Sequence, residues 1–145
     1  MNEDENFESL IINLQKKIDS EEEKIYSKKV IKEYRNPSNF GFIKNPDASG
    51  MIKGSCGDTM RIDLKIKDEK ILKAFFWTDG CGASIACGSI ITKMITGKKL
   101  QDANNFTNED VLKALNGLPI EHHHCSTLVI QTLQKAINNY IENKK

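Results

Sequence analysis

The middle of the chain alternates apolar and charged residues, which is the pattern of a β-strand with one buried and one solvated face. The two sets are Met60, Ile62, Leu64 and Ile66 on the apolar side and Arg61, Asp63, Lys65 and Lys67 on the charged side. Asp68 and Glu69 predict a short turn, after which residues 71–78 return as the partner strand of a hairpin. A shorter strand is predicted at 50–54, so the chain has to fold around a small antiparallel sheet.

Helical segments are predicted on both sides of this sheet. Apolar residues recur at helical spacing near the N-terminus, at Phe7, Leu10, Ile11, Leu14 and Ile18. The acidic run 21–23 is expected to interrupt this helix before a second one, at 27–34, begins with Ser27 as its N-cap. The later helices are predicted at 83–96, at 107–116 and from Ser126 onward. This order predicts an α+β fold, a small three-stranded antiparallel sheet with helices packed on one face.

The outer face of the hairpin needs a cover. If Phe76 and its neighbours at alternate positions face the core, Phe75 and Trp77 point outward. Two adjacent exposed aromatic side chains are unusual on a sheet face. We therefore expect the N-terminal helix, or a second copy of the chain in a homodimer, to cover them.

Charge and hydropathy exclude several classes of function. The 145 residues include 21 basic and 20 acidic ones, and this balance gives no support for nucleic-acid binding. No apolar run approaches the length of a membrane span, and the acidic start Met-Asn-Glu-Asp-Glu-Asn lacks the layout of a signal peptide. We therefore expect a cytoplasmic protein without a membrane partner. In a reducing compartment, its four cysteines are better explained as metal ligands or reactive thiols than as disulfides.

Three of the four cysteines stand at the boundaries of predicted elements. They lie in the clusters Cys56-Gly57-Asp58, Gly80-Cys81-Gly82 and His124-Cys125. Cys81 precedes a helix, where the helix dipole favours thiolate over thiol. If all three boundaries meet at one edge of the sheet, the sulfur-rich set suits Zn²⁺ or iron–sulfur iron and not Mg²⁺. The alternative for each cysteine, Cys56 above all, is a small core residue.

Five motifs resemble the iron–sulfur cluster assembly scaffold family of the IscU/NifU type. They are Ser27-Lys-Lys-Val-Ile-Lys-Glu-Tyr-Arg-Asn-Pro-Ser-Asn-Phe-Gly41, Gly54-Ser-Cys-Gly-Asp58, Gly80-Cys-Gly-Ala-Ser-Ile-Ala86, Gly97-Lys-Lys-Leu100, and Leu118-Pro119 through His124-Cys-Ser126. The resemblance divides the chain into an N-terminal helical extension, 1–26, and a scaffold domain, 27–145. It implies a protein, not an enzyme, that holds a nascent [2Fe–2S] cluster or iron and passes it to apo-proteins.

The resemblance also implies a set of site residues and partners. Cys56, Cys81 and Cys125 match the cluster cysteines of the family, and Asp58 and His124 match its aspartate and its alternative histidine ligand. Sulfur would come from a cysteine desulfurase, with Cys125 as the candidate acceptor. Zn²⁺ could occupy the same site. The chaperone-docking loop of the family reads Leu-Pro-Pro-Val-Lys, and 118–122 departs from it, which weakens the prediction of an Hsp70-type partner.

Three further cysteine and histidine residues are expected to lie outside the site. The alternatives are a nearby spare thiol or an oxidation site for Cys87, and adventitious metal at His122 and His123. Cys87 is predicted to be a structural cysteine, because it lies six residues past Cys81 and therefore on another face of the helix. His122 and His123 are predicted to be solvated loop residues.

Two other functions remain as alternatives. One is a zinc-bound sulfur acceptor that activates a cysteine desulfurase, as in the SufU-like branch, although 81–125 has no room for the insertion of that branch. The other is a Cys–His hydrolase, which is disfavoured because the adjacent His124 and Cys125 are expected to point apart.

Overall fold

The fold is described from a computed structural model, which covers residues 3–144 and the side chains of residues 6–144. Strands β1 (Ala48–Lys53), β2 (Thr59–Lys67) and β3 (Lys70–Thr78) form an antiparallel sheet in the order β1-β2-β3. Asp68 and Glu69 both have positive φ, as a two-residue hairpin turn requires. The predicted hairpin and its turn are therefore confirmed. Ile62 lies opposite Phe76, and the pairing shifts by one residue between Lys65 and Ile66, which leaves Leu72 without a partner in β2.

The helices and strands follow one another along the chain in the order that the sequence predicted. The helices are α1 (Glu3–Ile25), α2 (Lys28–Arg35), α3 (Gly82–Ile95), α4 (Leu100–Ala103), α5 (Asn108–Ala114) and α6 (His123–Asn143), with a 3₁₀ turn at Ile120–His122. Ser27 caps α2 by accepting a hydrogen bond from the Val30 N–H. Thr107 and Asp110 form a capping box at the start of α5. The α+β class and the three-stranded sheet are confirmed.

The core lies between the buried face of the sheet and helices α3 and α6. Helix α6 packs on β1 and β2, α3 packs on β3, and α2 packs on α3. The close approach depends on two glycines. A Cβ at Gly50 would lie 2.6 Å from the backbone nitrogen of Ala136 in α6, and a Cβ at Gly88 in α3 would lie 2.2 Å from Cδ2 of Phe76. Helices α3 and α6 therefore pack directly against one face of the sheet. Their N-terminal ends lie together at the same end of the strands.

Two helix boundaries differ from the prediction. Helix α1 continues through the acidic run to Ile25, because glutamate is a good helix former. Arg35 of α2 also forms ion pairs with Asp19 and Glu22 of α1. Helix α6 begins at His123, three residues before Ser126, and the Ser126 hydroxyl donates a hydrogen bond to the His123 carbonyl.

Of the two covers predicted for the hairpin, the N-terminal helix is wrong, and a second copy of the chain stays a prediction. The ring of Phe42 stacks on Trp77 with 6.2 Å between ring centroids and 19° between planes, and a Cβ on Gly41 would contact Phe75. This segment is held along β3 because the Gly41 N–H donates to the Phe76 carbonyl at 2.8 Å. The apolar residues of α1 remain exposed, between 49% and 64% for Phe7, Leu10, Ile11, Leu14 and Ile18.

One carboxylate is buried between α2 and α3. The Ser89 hydroxyl donates to Glu33 at 2.5 Å, and Lys93 also donates to this carboxylate. Burial alone would raise the pKa of Glu33, but these two bonds outweigh it and the pKa lies below its ordinary value. Glu33 therefore ties α2 to α3 as long as it is ionised. Among the helices that the structure describes, none is long and apolar enough to cross a membrane.

Candidate metal centre

Cys56 lies in the turn that joins β1 to β2. The Gly54 N–H donates to the Asp58 carbonyl at 2.7 Å, and the Gly57 N–H donates to the Gly54 carbonyl at 3.0 Å. Gly57 has φ +93°, a conformation that L side chains rarely adopt. The turn leaves Cys56 exposed and Asp58 half-buried beside it.

Cys81 is the N-cap residue of α3, as the strand–helix junction predicted. Its sulfur makes no capping hydrogen bond within the described chain, so it is available to an external partner, and the residue is exposed. The glycine before it is required by space. A Cβ at Gly80 would lie 2.7 Å from the Ser84 hydroxyl oxygen and 2.8 Å from Oδ2 of Asp58. Gly80 therefore lets the turn of Asp58 and the first turn of α3 approach each other.

Cys125 lies in the first turn of α6 and is fully buried. Burial raises the pKa of its thiol to about 11, the neighbouring Cys81 and Cys56 add to this, and a hydrogen bond from the Ser84 hydroxyl opposes it. That bond is 3.3 Å long. In this conformation Cys125 is therefore a protonated, shielded thiol, whereas Cys56 and Cys81 face solvent.

The expectation that His124 and Cys125 point apart is wrong. Nε2 of His124 lies 3.6 Å from Sγ of Cys125, so the two side chains are in contact. This contact alone does not make a hydrolase. The buried Cys125 sulfur offers a substrate no access, and its raised pKa disfavours the thiolate that a nucleophile requires.

The five predicted site residues and His122 come together as two groups of three. In each group the candidate ligand atoms lie within 4.8 Å of one another. The groups are Cys56, Asp58 and His124, and Cys81, His122 and Cys125. The contact between His124 and Cys125 joins them. All five residues named from the sequence are therefore neighbours at one edge of the sheet, and their role as ligands stays a prediction.

The sequence interpretation missed His122. Its side chain is half-buried and its Nε2 lies 3.2 Å from the Tyr26 hydroxyl, so the prediction of a solvated loop residue is wrong for this histidine. The run of three histidines before Cys125 was the only signal available. His123 is exposed, as predicted, but it is the first residue of α6 and not a loop residue. Its Nε2 lies 2.9 Å from the Leu118 carbonyl oxygen.

Cys87 is confirmed as a core residue. It is fully buried within the cluster formed by α3, α6 and the sheet. Burial raises the pKa of its thiol well above the ordinary value, and the nearby Cys125 and Cys81 raise it further. Cys87 therefore belongs to the hydrophobic core and is not one of the candidate ligands.

The donor set has the chemistry of a thiophilic metal site. Three sulfurs with imidazole nitrogen and one carboxylate suit Zn²⁺ or iron and not the oxygen-preferring Mg²⁺ or Ca²⁺. A groove of about 310 Å³ lies beside Cys56 and His124 and gives access from solvent. The geometry therefore fits a metal ion or a small cluster held near the surface.

Comparison with known proteins identifies the family. The model of the NifU-like N terminal domain matches residues 25–145. The chain is 41% identical over 117 residues to iron–sulfur cluster assembly scaffold protein IscU 1 of Archaeoglobus fulgidus, covering 80% of this chain and 76% of the relative. It is also 41% identical over 120 residues to the IscU scaffold protein of Escherichia coli K12, covering 79% and 93%.

A solved structure shares the fold. The crystal structure of the N-terminal part of a NifU-like protein from Brucella abortus superposes with a TM-score of 0.65 at 23% sequence identity. The superposition covers 83% of this chain and 96% of that one. With the fold, the clustered cysteines and the match over 25–145 in agreement, this chain belongs to the family of NifU-like N-terminal domains.

Proposed function

We propose that this protein is a scaffold on which a [2Fe–2S] cluster is assembled and from which it is transferred to apo-proteins. The observation that carries the proposal is the meeting of three thiols from three separate elements, with Asp58 and His124 among them. The relatives are named as iron–sulfur cluster assembly scaffolds, which supports the same function here. The cluster would be the cargo of the protein, so the site has to bind it and also release it.

The unequal exposure of the ligands supports release. Cys56 and Cys81 are exposed, so a recipient protein can approach two of the sulfurs directly. Asp58 offers a harder and weaker ligand for iron than a thiolate does. A cluster held partly by Asp58 would therefore leave more readily than one held by four thiolates.

Sulfur would arrive as a persulfide on a cysteine desulfurase. A thiolate of this protein would attack the outer sulfur, forming a new S–S bond while the old S–S bond breaks and the desulfurase cysteine leaves as thiolate. The family resemblance proposes Cys125 as the acceptor. Because Cys125 is buried with a raised pKa, transfer to it requires that the start of α6 first move and expose the sulfur.

Anaerobic reconstitution with ferrous iron, cysteine, a thiol reductant and a cysteine desulfurase tests the proposal. The expected product is a brown protein with the absorption spectrum of a [2Fe–2S] cluster, which then passes to an apo-ferredoxin. Cys81→Ser should abolish the stable cluster. Cys87→Ala is the matched control, since Cys87 is a core thiol that does not face the site.

A different result of the reconstitution would contradict the scaffold function. That result is a colourless protein that retains one tightly bound zinc and accelerates the desulfurase. It would favour the zinc-bound sulfur acceptor instead.

A further inference from the structure

His122 lies against two of the candidate cluster cysteines. One of its ring nitrogens, Sγ of Cys81 and Sγ of Cys125 lie within 4.8 Å of one another. These three residues come from the 3₁₀ turn, the N-cap of α3 and the first turn of α6. Two sulfurs and one imidazole nitrogen are ligands that a single thiophilic ion takes, and their mutual distances place them around one point.

The two ring nitrogens of His122 are in different situations. Nε2 lies 3.2 Å from the hydroxyl of Tyr26, whereas Nδ1 is buried and has no hydrogen-bond partner among the described residues. Leaving a buried polar atom unpaired is costly, which makes such an atom a candidate for a missing ligand. If Nε2–H donates to Tyr26, Nδ1 carries the lone pair that a metal ion accepts.

Tyr26 is held firmly enough to orient the histidine ring. It precedes α2, and the adjacent Ser27 both caps α2 and donates a hydrogen bond to the Leu115 carbonyl at 2.6 Å. The Tyr26 ring also packs edge-on against Tyr34, with 6.1 Å between centroids. Metal-binding histidines commonly donate their second ring N–H to such an outer partner, which fixes the tautomer and the ring orientation.

We propose that His122 is a metal ligand, which with Cys81 and Cys125 forms a site for one divalent thiophilic ion such as Zn²⁺, and that Tyr26 is its positioning residue. This site shares two cysteines with the proposed cluster site but uses neither Cys56 nor Asp58. It concerns metal binding alone and does not require that a cluster be assembled. The chain can therefore hold a first ion on this group while the group of Cys56, Asp58 and His124 stays free.

Zinc affinity measured by competition with a chromophoric chelator tests the proposal. The full chain carrying Cys56→Ser and Asp58→Ala, which disables the other group, should still bind one Zn²⁺. Adding Tyr26→Phe should weaken binding by about 10-fold, at the lower end of the range known for outer partners of metal ligands. Adding His122→Ala, which removes the ligand itself, should weaken it by at least about 100-fold, the upper end of that range. Adding His123→Ala is the matched control, because His123 is the exposed neighbour, and it should change affinity by less than about twofold.

A spectroscopic measurement on the unmodified chain does not depend on the variants. With a spin-active cadmium isotope bound and the histidines nitrogen-labelled, NMR should show metal–nitrogen coupling at Nδ1 of His122. A purely structural histidine would give no such coupling even if its substitution destabilised the fold. The proposal is overturned if coupling appears only at His124, or if His122→Ala leaves zinc affinity unchanged.

The two proposals can fail separately. A chain that forms no [2Fe–2S] cluster but shows the His122 coupling refutes the scaffold function and leaves the ion site intact. A chain that forms and transfers the cluster while His122 shows neither coupling nor an effect on affinity refutes the ion site alone.

Discussion

Replacing Gly88 with alanine tests whether α3 lies as close to the sheet as the structure places it. The new Cβ would lie 2.2, 2.5 and 2.6 Å from three ring atoms of Phe76. Carbon atoms in contact prefer about 3.5–4.0 Å, so the overlap exceeds 1 Å by this measure and either the ring or the helix has to move. Phe76 is fully buried, which leaves its ring little room to turn.

The expected loss of stability follows from two opposing effects. Overpacking a dense core costs about 1–3 kcal/mol, and the overlap with three atoms of a buried ring places Gly88→Ala near the upper end. Alanine is a better helix former than glycine by about 1 kcal/mol, which offsets part of this cost. We therefore expect the free energy of unfolding to fall by about 2 kcal/mol and the melting temperature by roughly 5–8 °C.

Urea unfolding followed by circular dichroism measures this change, and a double-mutant cycle with Phe76→Leu assigns it. Leucine lacks Cε2 and can turn its methyl groups away from the new Cβ. The double variant should therefore lose about 1 kcal/mol less stability than the sum of the two single losses. Gly82→Ala is the comparison in the same helix. Its Cβ would lie 3.2 Å from the nearest ring atom of Tyr34, so the ring has to shift by only a few tenths of an ångström, and the loss of stability should be smaller than for Gly88→Ala. If Gly88→Ala stabilises the protein, or if the cycle is additive, the close packing of α3 on β3 is refuted.

Three more substitutions test other parts of the structure. Asp58→Ala should slow transfer of the cluster to an apo-ferredoxin, and the absorption spectrum monitors this transfer. Equal transfer rates for wild type and Asp58→Ala would contradict a weak-ligand role. Glu33→Gln should cost about 1–2 kcal/mol at neutral pH. Folding lowers the pKa of Glu33, so the extra stability of wild type over Glu33→Gln should disappear as the pH falls through the acid range. Urea unfolding of both proteins at pH 7 and in acid measures this difference. Phe42→Ala should shift the fluorescence emission of Trp77, whereas deletion of residues 1–24 should leave it unchanged, and the reverse pattern would restore the predicted cover by α1.

The sheet and the order of the helices could be predicted because their signals are local. Alternation along β2 identifies its buried face, and Asp68 and Glu69 mark the turn of the hairpin. The capping residues Ser27 and Thr107 mark helix starts within one or two positions. Each of these features depends on residues close together in sequence, so one sequence is enough to show it.

The features that sequence reasoning missed depend on distant contacts. Phe42 covers Trp77 because its segment pairs with the free edge of β3, and no periodicity within 39–43 indicates that edge. His122 is withdrawn from solvent by Tyr26, which lies 96 residues earlier in the chain. The same limit applies to α6, whose early start at His123 follows a 3₁₀ turn that local propensity does not distinguish from a loop.

The division of the site into two groups makes the predictions for its two halves separable. Cys56 is held by a short exposed turn, whereas Cys81 and Cys125 begin helices that pack on the sheet. A ligand on a turn moves at less cost than one fixed to a packed helix, because fewer buried contacts oppose its motion. Substitution on the Cys56 side, as in Asp58→Ala, should therefore change how fast cargo leaves. Substitution of His122 should instead change how tightly a single ion is held, so a variant that altered both equally would contradict a divided site.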